Sequence, residues 1–236
     1  MLAAAVAPGI ALLAYFYLSD RYDAEPFPMV AKMFLIGGLL VIPVMIVQRA
    51  ATLWLGESDL AFSFVASAGV EEFFKWFVLY HIIFLHTLFD EPYDGIVYAT
   101  AVSLGFATVE NLLYALLVQP AGIGVLLWRA LLPVSGHALF GVFMGFFLGK
   151  AKFAKGRSVR LHTALAFLVP LLAHGIYDYL TLAVFSSSMV WLVVPFMFLL
   201  WVGGIRFVHR AHDVSPFRLL KREEEVNSRG GGTYCG

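Results

Sequence analysis

A handful of ionisable residues stands where an otherwise apolar chain should carry none. The run Ala66-Ser67-Ala68-Gly69-Val70-Glu71-Glu72-Phe73-Phe74-Lys75 sets two carboxylates and an ammonium inside one apolar stretch. Glu110-Asn111, His137, and the pair His174 and Asp178 occupy three further stretches. Ionisable groups at membrane depth are expensive and by default mark function. Glu71 and Lys75 stand four apart, as do His174 and Asp178, so each pair shares a helix face. Adjacent Glu71 and Glu72 diverge by about 100° on a helix, which separates their roles. One can face a cavity as a general base while Lys75 or backbone donors hold the other.

Taken singly, each group has a bland explanation. Glu71–Lys75 can be a neutralising ion pair, His174–Asp178 a local orienting pair, and Glu110-Asn111 interhelical glue. Taken together, the carboxylates, histidines and lysine are too costly for glue. Hydrolysis would need a base for water, donors for an oxyanion and a wet cavity. Ser67 and Ser135 lie near the set, but neither has a triad around it. Two versions of the chemistry remain open. In one, His137 and His174 with Glu110 or Asp178 bind Zn2+, and a glutamate activates the metal-bound water. In the other no metal is used: a glutamate activates water directly, and His174 with Asn111 stabilises the oxyanion. Histidine and carboxylate at i, i+4 fit zinc ligation, and equally a carboxylate that orients a histidine.

The elements that must position these groups are membrane helices. Of 236 residues 61% are hydrophobic and 14% charged, with a mean hydropathy of +0.83. A soluble domain is about half apolar, so lipid is the natural solvent for the excess. A formal net charge of zero excludes a nucleic-acid partner. The single cysteine, Cys235, allows no internal disulfide and no cysteine metal site. A span takes about 20 apolar residues, and seven stretches qualify: roughly 2–18, 29–48, 60–86, 95–118, 131–149, 161–184 and 188–208. The expected fold is an all-α, polytopic transmembrane bundle of about seven spans. Residues 120–130 leave room for an eighth element such as a re-entrant turn. No basic segment precedes the first stretch, which is therefore read as a retained span rather than a signal peptide. Residues 1–208 form the membrane domain, and 209–236 a polar, mobile cytoplasmic tail.

Lys150, Lys152, Lys155, Arg157 and Arg160 crowd one loop, and Arg206, Arg210, Arg218, Lys221, Arg222 and Arg229 the last helix end and tail. By the positive-inside rule both are cytoplasmic, so the N-terminus lies outside and the C-terminus inside. At 1.5 Å per residue, Glu71 and Glu72 lie about 17 Å and His137 about 9 Å below the outer face. Glu110 and His174 lie about 23 and about 20 Å above the inner face. In a core about 30 Å thick, all fall between the midplane and the outer face. His137, Gly141, Gly145 and Gly149 form one i, i+4 stripe suited to close helix packing, which turns His137 into the bundle.

Several motifs in order resemble one family. Asp20-Arg21-Tyr22-Asp23-Ala24-Glu25-Pro26 looks like a first cytoplasmic loop, and Glu71-Glu72-Phe73-Phe74-Lys75 an EExxK motif. Asp94-Gly95-Ile96-Val97-Tyr98, Gly105-Phe106 and Glu110-Asn111-Leu112-Leu113-Tyr114 follow. Gly136-His137-Ala138-Leu139-Phe140 and His174-Gly175-Ile176-Tyr177-Asp178 complete the set. The chain thereby resembles the PrsW family of intramembrane proteases, relatives of the CAAX-protease and bacteriocin-processing superfamily. The resemblance implies a bacterial cell-membrane endopeptidase that makes the first cut in a single-pass anti-sigma factor, as part of a stress response. It also implies that Glu71, Glu72 and His174 are essential. The wider superfamily often has histidine where this chain has Glu110. Two rival readings draw on the same residues. A proton- or ion-coupled transporter could use such a cluster as a relay, although no inverted repeat of broken helices is visible. A scaffold would use it only for stability.

Overall fold

The computed structural model describes residues 2–55, 58–117, 123–186 and 190–218. These residues form seven helical segments and, among them, no strand. Helix α1 is Leu2–Leu18 and α2 is Phe27–Leu55. Segment α3 opens with one α turn, Asp59–Ala61, passes through a π-helical stretch, Phe62–Ser67, and continues as Ala68–Ile82. Helix α4 is Pro92–Leu117. Segment α5 runs from Ile123–Arg129 through a second π stretch, Ala130–Val134, into Ser135–Lys152. Helices α6 and α7 are Arg157–Ser186 and Val190–Asp213.

Local chemistry explains why several helices outrun their apolar runs. Helix α4 begins with Pro92, which needs no N–H partner at the first helical position. The Asp94 carboxylate reaches back, its Oδ2 accepting from the N–H of Glu91 at 2.7 Å and of Asp90 at 2.8 Å. Lys150 and Lys152 sit in the last turn of α5, where the helix dipole favours cations. Gly156, with φ 61°, takes the left-handed turn that leads into α6.

Among the described residues, five helices are long and apolar enough to cross a membrane: α2, α4, α5, α6 and α7. Helix α1 is apolar but has 17 residues, and α3 carries Glu71, Glu72 and Lys75 along its length. The protein is thus a multi-pass membrane bundle. Residues 123–130, where a re-entrant turn had room, join α5 without a break; 120–122 lie outside the described residues. The expected tail also divides. Helix α7 continues to Asp213, and His212 and Ser215 are buried against the bundle. Residues 219–236, with Cys235, lie outside the described residues.

Helices α4 and α5 form the centre. Their apolar stretches are 78% buried inside the protein, against 22–28% for α2, α6 and α7. The glycine stripe makes this contact possible. A Cβ on Gly145 would lie 2.2 Å from the Gly95 carbonyl, and one on Gly95 2.4 Å from the Gly145 carbonyl. The two backbones therefore touch, and the turn of α5 that carries His137 is held against α4. Ser103 Oγ on α4 donates to the His137 carbonyl at 2.6 Å.

Candidate active site

Both π stretches end within about one and a half turns of site residues: Phe62–Ser67 precedes Glu71 and Glu72, and Ala130–Val134 precedes His137. Single π turns inside α-helices occur mostly at functional sites. The second contains Pro133, which has no N–H to give the helix. Segments α3, α4, α5 and α6 bring Glu71, Glu72, Lys75, Glu110, His137, His174 and Asp178 together, as the depth estimates required.

Lys75 and Glu72 form the buried hub. Lys75 Nζ donates to Glu72 Oε1 at 2.7 Å and to Glu71 Oε2 at 3.5 Å, and lies 3.1 Å from His137 Nδ1. The tighter partner of Lys75 is thus Glu72, three residues away, rather than Glu71 on its own face. His174 Nδ1 lies 2.9 Å from the same Glu72 oxygen, and His174 Nε2 lies 3.5 Å from Asp178 Oδ1. His137 Nε2 lies 3.0 Å from Glu110 Oε2. The Phe140 ring stacks on His174 at a centroid distance of 4.6 Å and fixes its plane.

The two adjacent glutamates face different surroundings. Glu72 is fully buried. Glu71 lines a cavity of about 540 Å³, with Glu110, Arg129, His137, His174 and Asp178 around it. That volume falls within the range of small-ligand sites and can admit a locally unwound peptide segment. Ser67 also lines it, whereas Ser135 Oγ is bonded to the Leu131 carbonyl of its own helix.

Two residues join the site that their positions alone did not reveal. Gln48, on α2, donates from Nε2 to Glu71 Oε1 at 3.0 Å. Its signal was an amide at the end of an apolar run. Arg129, just outside the expected span 131–149, donates to Glu110 Oε1 at 3.3 Å and to Asn111 Oδ1 at 2.8 Å. It also packs over the Tyr114 ring. Asn111 turns away from the cavity: its Nδ2 donates to the Ala5 carbonyl at 2.8 Å, tying α1 to α4. Its Oδ1 meets the site through Arg129.

One donor atom each from Glu71, Glu72, His137 and His174 lies within 4.8 Å of the others, so these four are placed to hold a metal ion. Glu72 Oε2 is buried without a hydrogen-bond partner and is free to accept a cation. Two carboxylates and two imidazoles are a donor set suited to zinc. Glu110 and Asp178, expected among the ligands, touch the two histidines from outside, as orienting carboxylates do. Lys75 Nζ lies among the same donors and supplies positive charge there.

A profile of PrsW family intramembrane metalloproteases matches residues 25–203. A protein named Protease PrsW from Geobacillus kaustophilus is 49% identical over 212 residues, 89% of this chain and 92% of that one. One from Bacillus subtilis is 45% identical over 220 residues, 93% of this chain and 99% of that one. A more distant Protease PrsW, from Clostridioides difficile, is 31% identical over 202 residues, 80% of this chain and 83% of that one. No solved structure matches the chain. The transporter reading has no support among these relatives.

Proposed function

The chain belongs to the PrsW family of intramembrane metalloproteases, and from that premise we propose that Glu71 activates the water that cleaves a peptide bond in the cavity. Peptidase activity within a membrane follows from the family; the division of labour among side chains is inferred. The observation that carries it is that Glu71 lines the cavity while Glu72 is sealed behind it.

Glu71 is held by Gln48 and Lys75, so its carboxylate is oriented before substrate arrives. As general base it takes a proton from water; the hydroxide oxygen attacks the scissile carbonyl carbon, and the same carboxyl returns the proton to the departing amine. Arg129 and His174 are the cavity-lining donors for the oxyanion. Glu72, bonded to both Lys75 and His174, is a positioning residue, as is Asn111 through Arg129. With Glu71 kept as the base, Glu72, His137 and His174 are the residues that would hold zinc, whose chemistry when bound would be to acidify a water and polarise the scissile carbonyl.

The substrate in this reading is a single-pass membrane protein of the anti-sigma-factor type, cut first near its extracytoplasmic end. Two features support it: the outer-half depth of the site, and the positive-inside count that puts the C-terminus in the cytoplasm. A substrate helix must unwind to expose its peptide bond, and protein or water must receive the freed backbone. Purified protein in detergent should cut such a substrate once, in the outer half of its helix, and His174→Ala should abolish the cut while the protein stays folded. A cut in the cytoplasmic half, or undiminished cleavage by His174→Ala, overturns the reading. Stoichiometric zinc, lost with His137→Ala, is expected if the metal takes part; full activity in chelator rejects that part.

A further inference from the structure

A second group of acids lies far from the cavity. Asp94 opens α4 and Glu110 sits near its other end, about 24 Å away at 1.5 Å per residue. Around Asp94, three chain segments meet: the connection after α1 brings Asp20, the connection into α4 brings Glu91, and the stretch after α7 brings Ser215. One carboxylate oxygen from each of Asp20, Glu91 and Asp94 lies within 4.8 Å of the other two.

These acids are only half satisfied. Glu91 is 0% exposed and Asp94 is 1% exposed. One oxygen of each is engaged: Glu91 Oε2 accepts from Ser215 Oγ, and Asp94 Oδ2 caps α4. The other oxygens, Glu91 Oε1 and Asp94 Oδ1, are buried without a hydrogen-bond partner; the Asp20 oxygens make no hydrogen bond of good geometry but lie near the Glu91 carboxyl and the backbone N–H groups of Arg21 and Tyr22. Among the described residues no ion pair reaches any of the three. Lys152 is within electrostatic reach of Asp94 but gives its hydrogen bonds to the carbonyls of Phe84 and His86. A buried carboxylate with an empty lone pair costs several kcal/mol unless a charge answers it.

We propose that Asp20, Glu91 and Asp94 form a binding site for a hard divalent cation of the Mg2+ or Ca2+ class, distinct from the Glu71 cavity. All the donors are oxygens, with neither imidazole nor thiolate, which selects such ions over zinc. Oxygens bound to one Ca2+ at 2.3–2.6 Å can be up to about 5 Å apart, and around Mg2+ about 4.2 Å. The observed spread admits Ca2+ directly and Mg2+ after slight contraction. The ion clamps the end of α1 and the segment after α7 onto the first turn of α4. This site does not depend on the peptidase reading.

The test uses the full-length protein in detergent, stripped with chelator and then titrated separately with Mg2+, Ca2+ and Zn2+ while thermal unfolding is followed. Mg2+ or Ca2+ is expected to raise Tm saturably, with a Kd below about 1 mM, and to do so equally in Glu71→Gln. Asp20→Asn, a change in the half-buried loop, should weaken binding at least tenfold, and Glu91→Gln should remove it. Should Glu91→Gln fail to fold, terbium luminescence sensitised by nearby Tyr93 and Tyr98 replaces it: a signal displaced by Ca2+ and lost in Asp20→Asn is expected. No response to either ion at 10-fold above that Kd overturns the site. A response unchanged in Asp20→Asn, or abolished by Glu71→Gln, overturns it as well.

Discussion

The two acid clusters of this bundle are built from similar residues and solve opposite problems. Around the cavity, Glu71, Glu72, Glu110 and Asp178 are answered by Lys75, Arg129, His137 and His174, all from the chain itself. At the start of α4, Asp20, Glu25, Glu91 and Asp94 meet hydroxyls and backbone N–H groups but no cationic side chain among the described residues. Burial pushes Glu91 up to about 8, against the hydrogen bond from Ser215. It likewise lifts Glu25 to about 7, against the hydrogen bond from Tyr98. The contrast shows what membrane burial tolerates. Carboxylates that must stay charged and face substrate bring their counter-charges with them, whereas carboxylates that only hold segments together can leave that charge to come from outside.

The sharpest way to break the contrast is to remove a charge from the cavity. Glu71→Gln takes away the base and is expected to lower the rate of peptide cleavage about 10²–10⁴-fold, measured as product per enzyme per minute. Lys75→Met leaves the buried Glu72 with only His174 beside it, which should destabilise the protein by about 3–5 kcal/mol, read from denaturant or thermal unfolding in detergent. Gly145→Val forces a side chain into the Gly95 backbone; separating α4 from α5 should cost about 1–3 kcal/mol and lower activity along with stability. Gln48→Leu removes one hydrogen bond to the Glu71 carboxylate; about 1.5–3 kcal/mol corresponds to a drop in kcat of about tenfold or more with folding unchanged. A Gln48→Leu rate equal to wild type would show that Glu71 is oriented by Lys75 alone.

Much of the cavity was legible in sequence because a charge in an apolar helix has few places to go. Counting residues along the helices was enough to bring Glu71, Glu110, His137 and His174 to one level, and the glycine stripe correctly turned His137 inward. Facing was harder. Glu71 and Glu72 differ by one residue, and which of them meets the cavity depends on the π stretch before them and on the packing of α2 and α6. Asn111 read as an oxyanion donor; its Nδ2 bonds the Ala5 carbonyl and its Oδ1 meets Arg129. Arg129 was missed because the α5 segment starts at Ile123, before the apolar run does. The second acid cluster was illegible as a cluster because Asp20 and Glu91 come from connections, whose course hydropathy does not describe. The ends of α4 and α7 followed capping and burial rather than apolar length.

The most direct measurement is single-turnover cleavage by Glu71→Gln and Glu72→Gln, with substrate binding and thermal unfolding recorded on the same preparations. Glu71→Gln should bind substrate as tightly as wild type, unfold at a similar temperature and cleave at least 100-fold more slowly, while Glu72→Gln should lose stability together with rate. A Glu71→Gln protein that cleaves within about threefold of wild type, well inside the range of a general-base effect, would contradict the assignment of the water-activating carboxylate.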